Sequence, residues 1–136
     1  MSQSNLKAAT QLTGRVLISA IFIMAGLNKI MGYAGTQGYM ESMGVPGILA
    51  PLVILTELGA GLAVLLGWQT RIAAFLLAGF SILSALLFHN NFGDQTQMIM
   101  FMKNVAIAGG LLYVLRFGAE WPSFDAAARP SVPKDS

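Results

Sequence analysis

The amino-acid sequence predicts an all-α membrane protein: one bundle of four transmembrane helices with both termini on the cytoplasmic side. Three observations carry this reading. The 136 residues are 55% hydrophobic and only 10% charged, where a soluble domain carries about 25% charge, and the mean hydropathy is +0.66. Four stretches approach the ~20 apolar residues that a helix needs to cross a hydrocarbon core ~30 Å thick. Glycine or proline stands at each boundary between them.

Composition also removes whole classes of chemistry. A chain this short exposes much of its surface if soluble, and ten per cent charge cannot cover that surface, so a cytosolic domain is excluded. A disordered chain and a basic nucleic-acid binder are excluded as well; the formal net charge is only +2. With no cysteine and one histidine, His89, the chain offers no disulfide, thiol, iron–sulfur or zinc-thiolate chemistry, and no bis-histidine haem. One histidine beside Asp94 is too poor a donor set for a metal.

The spans fall at residues 12–31, 47–66, 71–88 and 98–117, within a transmembrane domain over 1–118. The first is not a signal peptide: Asn28–Lys29 stands where a small-residue cleavage site belongs, and its apolar run is too long. Gly67–Thr70 is a tight turn that makes the second and third spans an antiparallel pair. The longer link from Gly32 to Pro46 is either a plain loop or holds a short interfacial helix over Thr36–Met43, stopped by Gly44 and Pro46. Residues 119–136, with Pro122, Pro130 and Pro133 among alanine, serine and charges, form a flexible cytoplasmic tail. Lys7, Arg15, Arg71, Arg116, Arg129 and Lys134 collect on the side of the termini, which assigns that side to the cytoplasm.

Inside a bilayer the informative residues are the ionisable ones, because each is expensive unless compensated. Glu57 lies ten positions into the second span, ~15 Å deep, near the midplane. It is too short to snorkel, so it is protonated, paired or in contact with water. Lys103, beside Asn104, either snorkels to the outer interface or turns inward to pair with Glu57. Arg15, Ser19, Phe22, Gly26 and Lys29 recur at helical spacing and form one stripe, along which Arg15 either anchors the helix or reaches inward. The resulting charge network is Arg15, Glu57 and Lys103. His89 ends the third span as an interfacial histidine. Gly59, Ala63 and Gly67, like Ala74 and Ala78 or Ala106 and Gly110, are spaced by four and allow close helix approach.

Arg15 with Phe22, Gly26 and Lys29, Gly–Val–Pro before the second span, Glu57 with Gly59 and Gly61, and Lys103–Asn104 in the fourth span together resemble the DoxX family of small four-helix bacterial inner-membrane proteins. The resemblance runs from about Arg15 to Arg116. It implies a multi-pass protein of the inner membrane and a link to redox chemistry. The leading expectation is therefore a subunit that binds a quinone or another small molecule beside a redox enzyme partner. An accessory scaffold without ligand, or a proton or ion pathway through a homo-oligomer, are the alternatives. The ligand residues would be Lys29, Glu57, His89, Lys103 and Asn104, in a pocket walled by the first, second and fourth spans and lined by Met24, Met98, Phe101 and Met102.

Overall fold

The computed structural model describes residues 2–130; Pro133 and Lys134, placed above in the tail, lie outside them. Four helices are long and apolar enough to cross a membrane. Helix α1 spans Gln3–Met31, starting some two turns before the expected residue 12. Its 29 residues reach about 43 Å, so it overhangs the hydrocarbon. Ser2 caps it, its hydroxyl accepting from the Asn5 amide. Helix α2, Tyr33–Ser42, follows at once and realises the short-helix option for the first link. It stops at Gly44, whose φ of +80° suits a residue without a side chain.

Helix α3, Gly47–Leu66, opens with a 3-10 turn over Gly47–Leu49 and widens into a π-helical turn at Leu55–Ala60. It ends at Gly67 in the left-handed conformation, φ +69°. Glycine is needed there twice over, because a Cβ would also collide with Ser123 and with the Arg15 guanidinium. Helix α4, Thr70–Phe88, runs back antiparallel. Asp94 caps helix α5, Gln95–Phe117, by accepting from the Thr96 amide.

The helices pack in sequence: α1 on α3, α3 on α4, and α4 on α5 along the longest seam, with α1 and α5 touching only briefly. The core between them is Phe22, Val64, Leu77 and Leu111 with the alanines at 73, 74, 78 and 108. The stripe read from α1 is its buried face: Arg15, Ser19, Phe22 and Gly26 are its four buried residues. Gly26 lets α3 approach, since a Cβ there would stand 2.9 Å from that of Leu58. Gly61 does the same from α3, where a Cβ would meet Phe22 and Ile23 at 3.2 Å.

The segment after α5 departs from the expected loose tail. Residues 119–130 fold back onto the end of the bundle where α1 begins, labelled the inner end and its opposite the outer end, and include a short helix, α6, Phe124–Ala128. Ser123 caps α6 through the Ala126 amide at 3.0 Å. Gln11 of α1 holds the incoming chain by donating to the Gly118 carbonyl at 2.6 Å and accepting from the Glu120 amide at 3.1 Å. Asp125 then crosses to the start of α4. Its carboxylate accepts from the Gln69 amide, the Thr70 amide and the Thr70 hydroxyl at 2.9, 2.9 and 2.6 Å. The two amides are orphan donors of a helix N-terminus, supplied with an acceptor from about 55 residues away. They also hold Gln69 at φ +47°, a conformation that non-glycine residues seldom adopt.

Partial burial pushes the Asp125 carboxyl up. The hydrogen bonds from Thr70 and Gln69, with the nearby Arg129 charge, outweigh it and hold the group below the usual carboxylate range. A lowered carboxyl contributes stability that is complete above the ordinary value near 4 and is lost as pH falls through the lowered one. Asp125→Ala is therefore expected to cost about 1 kcal/mol at pH 7, as loss of a helix cap does. Melting curves in detergent should show the gap to wild type closing below about pH 4. A gap that persists undiminished in acid would mean that the carboxylate charge is not what secures the segment.

Candidate functional site

Each polar residue singled out from the sequence has a definite place. Glu57 sits in the π-helical turn of α3 and is buried, with 4% of its surface exposed. Its partner is Lys29, whose Nζ lies 2.6 Å from Oε1. Neither Lys103 nor Arg15 pairs with it. The reason is the packing order. Glu57 faces α1, and Lys29 in the last turn of α1 reaches down from the outer end. Lys103 lies on α5, which packs on α4; it is exposed, with Nζ 3.4 Å from the Met100 sulfur. The charge network of Arg15, Glu57 and Lys103 is thus replaced by a Lys29–Glu57 pair and a separate Arg15.

Arg15 is buried at the inner end, with 1% of its surface exposed. It donates to the Leu65 carbonyl in the last turn of α3 and to the Pro122 carbonyl of the returning segment. A cation among the last carbonyls of a helix meets the negative end of its dipole, so Arg15 needs no carboxylate to be tolerated there.

The outer-half residues do not converge. His89 donates from Nδ1 to the Gln97 side-chain oxygen at 2.9 Å, tying the end of α4 to the first turns of α5. Asn104 donates to the Ser81 carbonyl at 3.2 Å within the α4–α5 seam. Lys29 and Glu57 belong to the α1–α3 seam. No described cavity is walled by the first, second and fourth spans together; one of about 570 Å³ lies between the first and second, against Ile30, Tyr33, Ile54 and Leu58, and none of the expected ligand residues lines it.

A cavity of about 320 Å³ lies instead between α2, α3 and α4. Met40, Leu49, Leu52, Phe80, Leu83 and Leu87 give it apolar walls, and Thr56 and Ser84 are its hydroxyls. Phe88, also in its wall, stacks on Tyr39 of α2 with ring centroids 5.5 Å apart. Lys29, Glu57, His89, Lys103 and Asn104 are not among its lining, nor are Met24, Met98, Phe101 and Met102. Thr56 donates to the Leu52 carbonyl at 2.8 Å and is left to accept, so Ser84 is the donor available to a guest. The sequence did carry a sign of this cavity: Thr56 and Ser84 are hydroxyls set inside apolar runs. What it lacked was any indication that α2 would close over them.

Removing one partner of a buried ion pair costs about 3–5 kcal/mol. Lys29 keeps about a third of its side chain exposed, which favours the low end of that range. Glu57→Ala is expected to lower stability by about 3 kcal/mol and Lys103→Ala by no more than about 0.5. In a double-mutant cycle by denaturation in detergent, Glu57 should couple to Lys29 and be additive with Lys103. Coupling to Lys103 instead would contradict this geometry.

Comparison with known proteins agrees with the helical layout. The DoxX family model matches residues 10–90. The chain is 53% identical over 114 residues to Inner membrane protein YqjF of Escherichia coli (strain K12), covering 84% of this chain and 88% of that one. It is 35% identical over 121 residues to Inner membrane protein YphA of the same organism, covering 84% and 86%. A shorter match, 38% over 64 residues and 47% and 48% of the two chains, is to a Bacillus subtilis (strain 168) protein named "Putative oxidoreductase CatD". No solved structure matches. With four membrane-crossing helices, a match over most of the first three and two inner-membrane relatives of nearly the same length, the chain is a multi-pass inner-membrane protein and belongs to the DoxX family.

Proposed function

We propose that this protein is the membrane-embedded binding subunit of a redox system, holding a quinone-class ring in the outer cavity while a partner protein supplies the redox centre. The observation that carries this reading is the cavity itself. Its 320 Å³ falls at the lower end of the ~300–1,000 Å³ of small-molecule sites, and its make-up is theirs: apolar walls with few polar groups. The Ser84 hydroxyl can donate to a ring carbonyl, Thr56 can accept from a reduced hydroxyl, and Phe88, stacked on Tyr39, adds an aromatic face to the wall. A cysteine-free chain with one histidine has few groups from which to build a redox centre, so the electrons would come from outside. The name borne by the Bacillus subtilis relative supports a redox setting.

Titration of the purified protein with ubiquinone and menaquinone analogues should raise its melting temperature with concentration, since a ligand at 100 times its Kd adds about 2.7 kcal/mol. Ser84→Ala should weaken binding about fivefold, the worth of one ~1 kcal/mol hydrogen bond. Ser84→Phe should abolish it by filling the cavity, and Lys103→Ala should change nothing. No shift with any analogue, or an equal shift in Ser84→Phe, would leave the scaffold reading in its place.

We further propose that both termini face the cytoplasm. Lys7, Arg15, Arg71, Arg116 and Arg129 lie toward the end where α1 begins, against only Lys29 and Lys103 toward the other. Single cysteines can be introduced into this cysteine-free chain at Gly35, where a Cβ meets open space, and at exposed Asn5. An impermeant thiol reagent should label Gly35→Cys in intact cells and Asn5→Cys only after permeabilisation; the reverse pattern would invert the topology.

A further inference from the structure

The geometry points to a second site, at the opposite end from the outer cavity: a binding site for one anionic phospholipid, phosphate in a pocket at the start of α4 and an acyl chain in the groove between α3 and α4. The pocket, about 330 Å³, is lined by Arg71, Arg129 and Asp125 together with Gln69, Gly118 and Ile72. It is the one described cavity with charged side chains in its wall.

Its electrostatics favour an anion. Both Asp125 oxygens are engaged by the Gln69 and Thr70 donors; its charge also acts on Arg129, and the two arginines leave the pocket with a net positive charge. Among the described residues the one ion pair is Lys29–Glu57; neither arginine of the pocket has a carboxylate within bonding distance. Arg129 donates through one terminal nitrogen to the Ala119 carbonyl at 2.8 Å and keeps its other donors. Arg71 lies against the backbone of Gly118, where a Cβ would come within 3.0 Å of its Nε. Two exposed guanidinium groups with free donors suit a phosphate, which accepts forked hydrogen bonds from arginine.

Its position favours a lipid as the source of that phosphate. Arg71 is followed at once by the apolar run of α4, with Ile72 and Phe75 exposed to 61% and 63%, and Trp68 lies beside it, exposed to 58%, as interfacial aromatics are. The pocket is therefore at headgroup height. A second cavity of about 370 Å³ shares Gln69 and Ile72 with it and continues along α3 past Trp68 to Gly59, Ala63 and Leu76. The two small residues leave that groove open, since a Cβ on Gly59 would touch only Leu55, at 3.7 Å. A cationic head joined to an apolar trough is complementary to an anionic phospholipid and to no soluble anion.

The test measures thermal stability and native mass of the purified full chain in detergent with added phosphatidylglycerol, phosphatidylcholine of the same acyl chains, or inorganic phosphate. Phosphatidylglycerol should raise the melting temperature and remain bound in the mass spectrum, phosphatidylcholine at least tenfold more weakly, and inorganic phosphate should have no effect. Arg71→Gln should reduce phosphatidylglycerol affinity about tenfold. Gly59→Leu, which blocks the trough without touching the arginines, should reduce it as well. Equal response to the two lipids, an equal response to inorganic phosphate, or unchanged affinity in both variants would each overturn the proposal. The trough and the quinone cavity share Thr56 and Leu76, so the two readings are separated by their distinct residues: Arg71→Gln should leave the quinone titration unchanged, and Ser84→Phe should leave phosphatidylglycerol binding unchanged.

Discussion

A charge placed in hydrocarbon has to find its compensation within the chain, and this requirement fixes how α1 lies on α3. Helix α1 carries Arg15 and Lys29 on one stripe, about 21 Å apart along its axis. Lys29 is paired with Glu57, in the middle of α3; Arg15 donates to the Leu65 carbonyl, at its end. Two attachments on the same pair of helices define both their spacing and their register. Gly26 lies between them and admits Leu58. A bulky residue at that crossing would force the helices apart and lengthen the 2.6 Å contact, so close packing and charge pairing depend on each other.

The two ends of the bundle use different chemistry because their surroundings differ. At the outer half an acid and a base face each other, since nothing else at that depth can offset a carboxylate. At the inner end, water and headgroups are near, and two backbone carbonyls meet the terminal nitrogens of Arg15, leaving its Nε without a partner. The returning segment supplies one of those carbonyls, and with Asp125 it also satisfies the amides that open α4. Residues 119–130 therefore complete the helix termini that the α3–α4 turn leaves bare. A four-residue turn has no acceptors of its own for so many donors.

The fold was legible in the sequence to a degree the site was not. Four spans, the stripe on α1 and the tight turn at Gly67 follow from periodicity, length and glycine placement, which are local properties. The pairing of Glu57 was not local. Depth shows that it needs a partner, but Lys29 and Lys103 are both within plausible reach until the order of packing is known. Asp125 was hidden for the same reason: it lies among residues whose composition reads as loose chain, and its partners are 55 positions away. The outer cavity was missed because the charged residues attract attention in a membrane sequence, whereas the cavity is marked only by Thr56 and Ser84.

That contrast bears on how polar residues in small membrane proteins are to be read. Lys29 and Glu57 neutralise each other, His89 is held by Gln97, and Asn104 is held by a carbonyl of the neighbouring helix. Their crowding at one depth reflects helices being tied together in pairs, not a common focus. A group already bonded within the bundle offers a guest little, because binding would first have to break that bond and leave its partner bare. Groups free to act are found where seams diverge: Ser84 where α2 closes over the gap between α3 and α4, and Arg71 with Arg129 where the returning segment stands off from α4. In both places the chain leaves space as well as donors, and a binding site requires the two together.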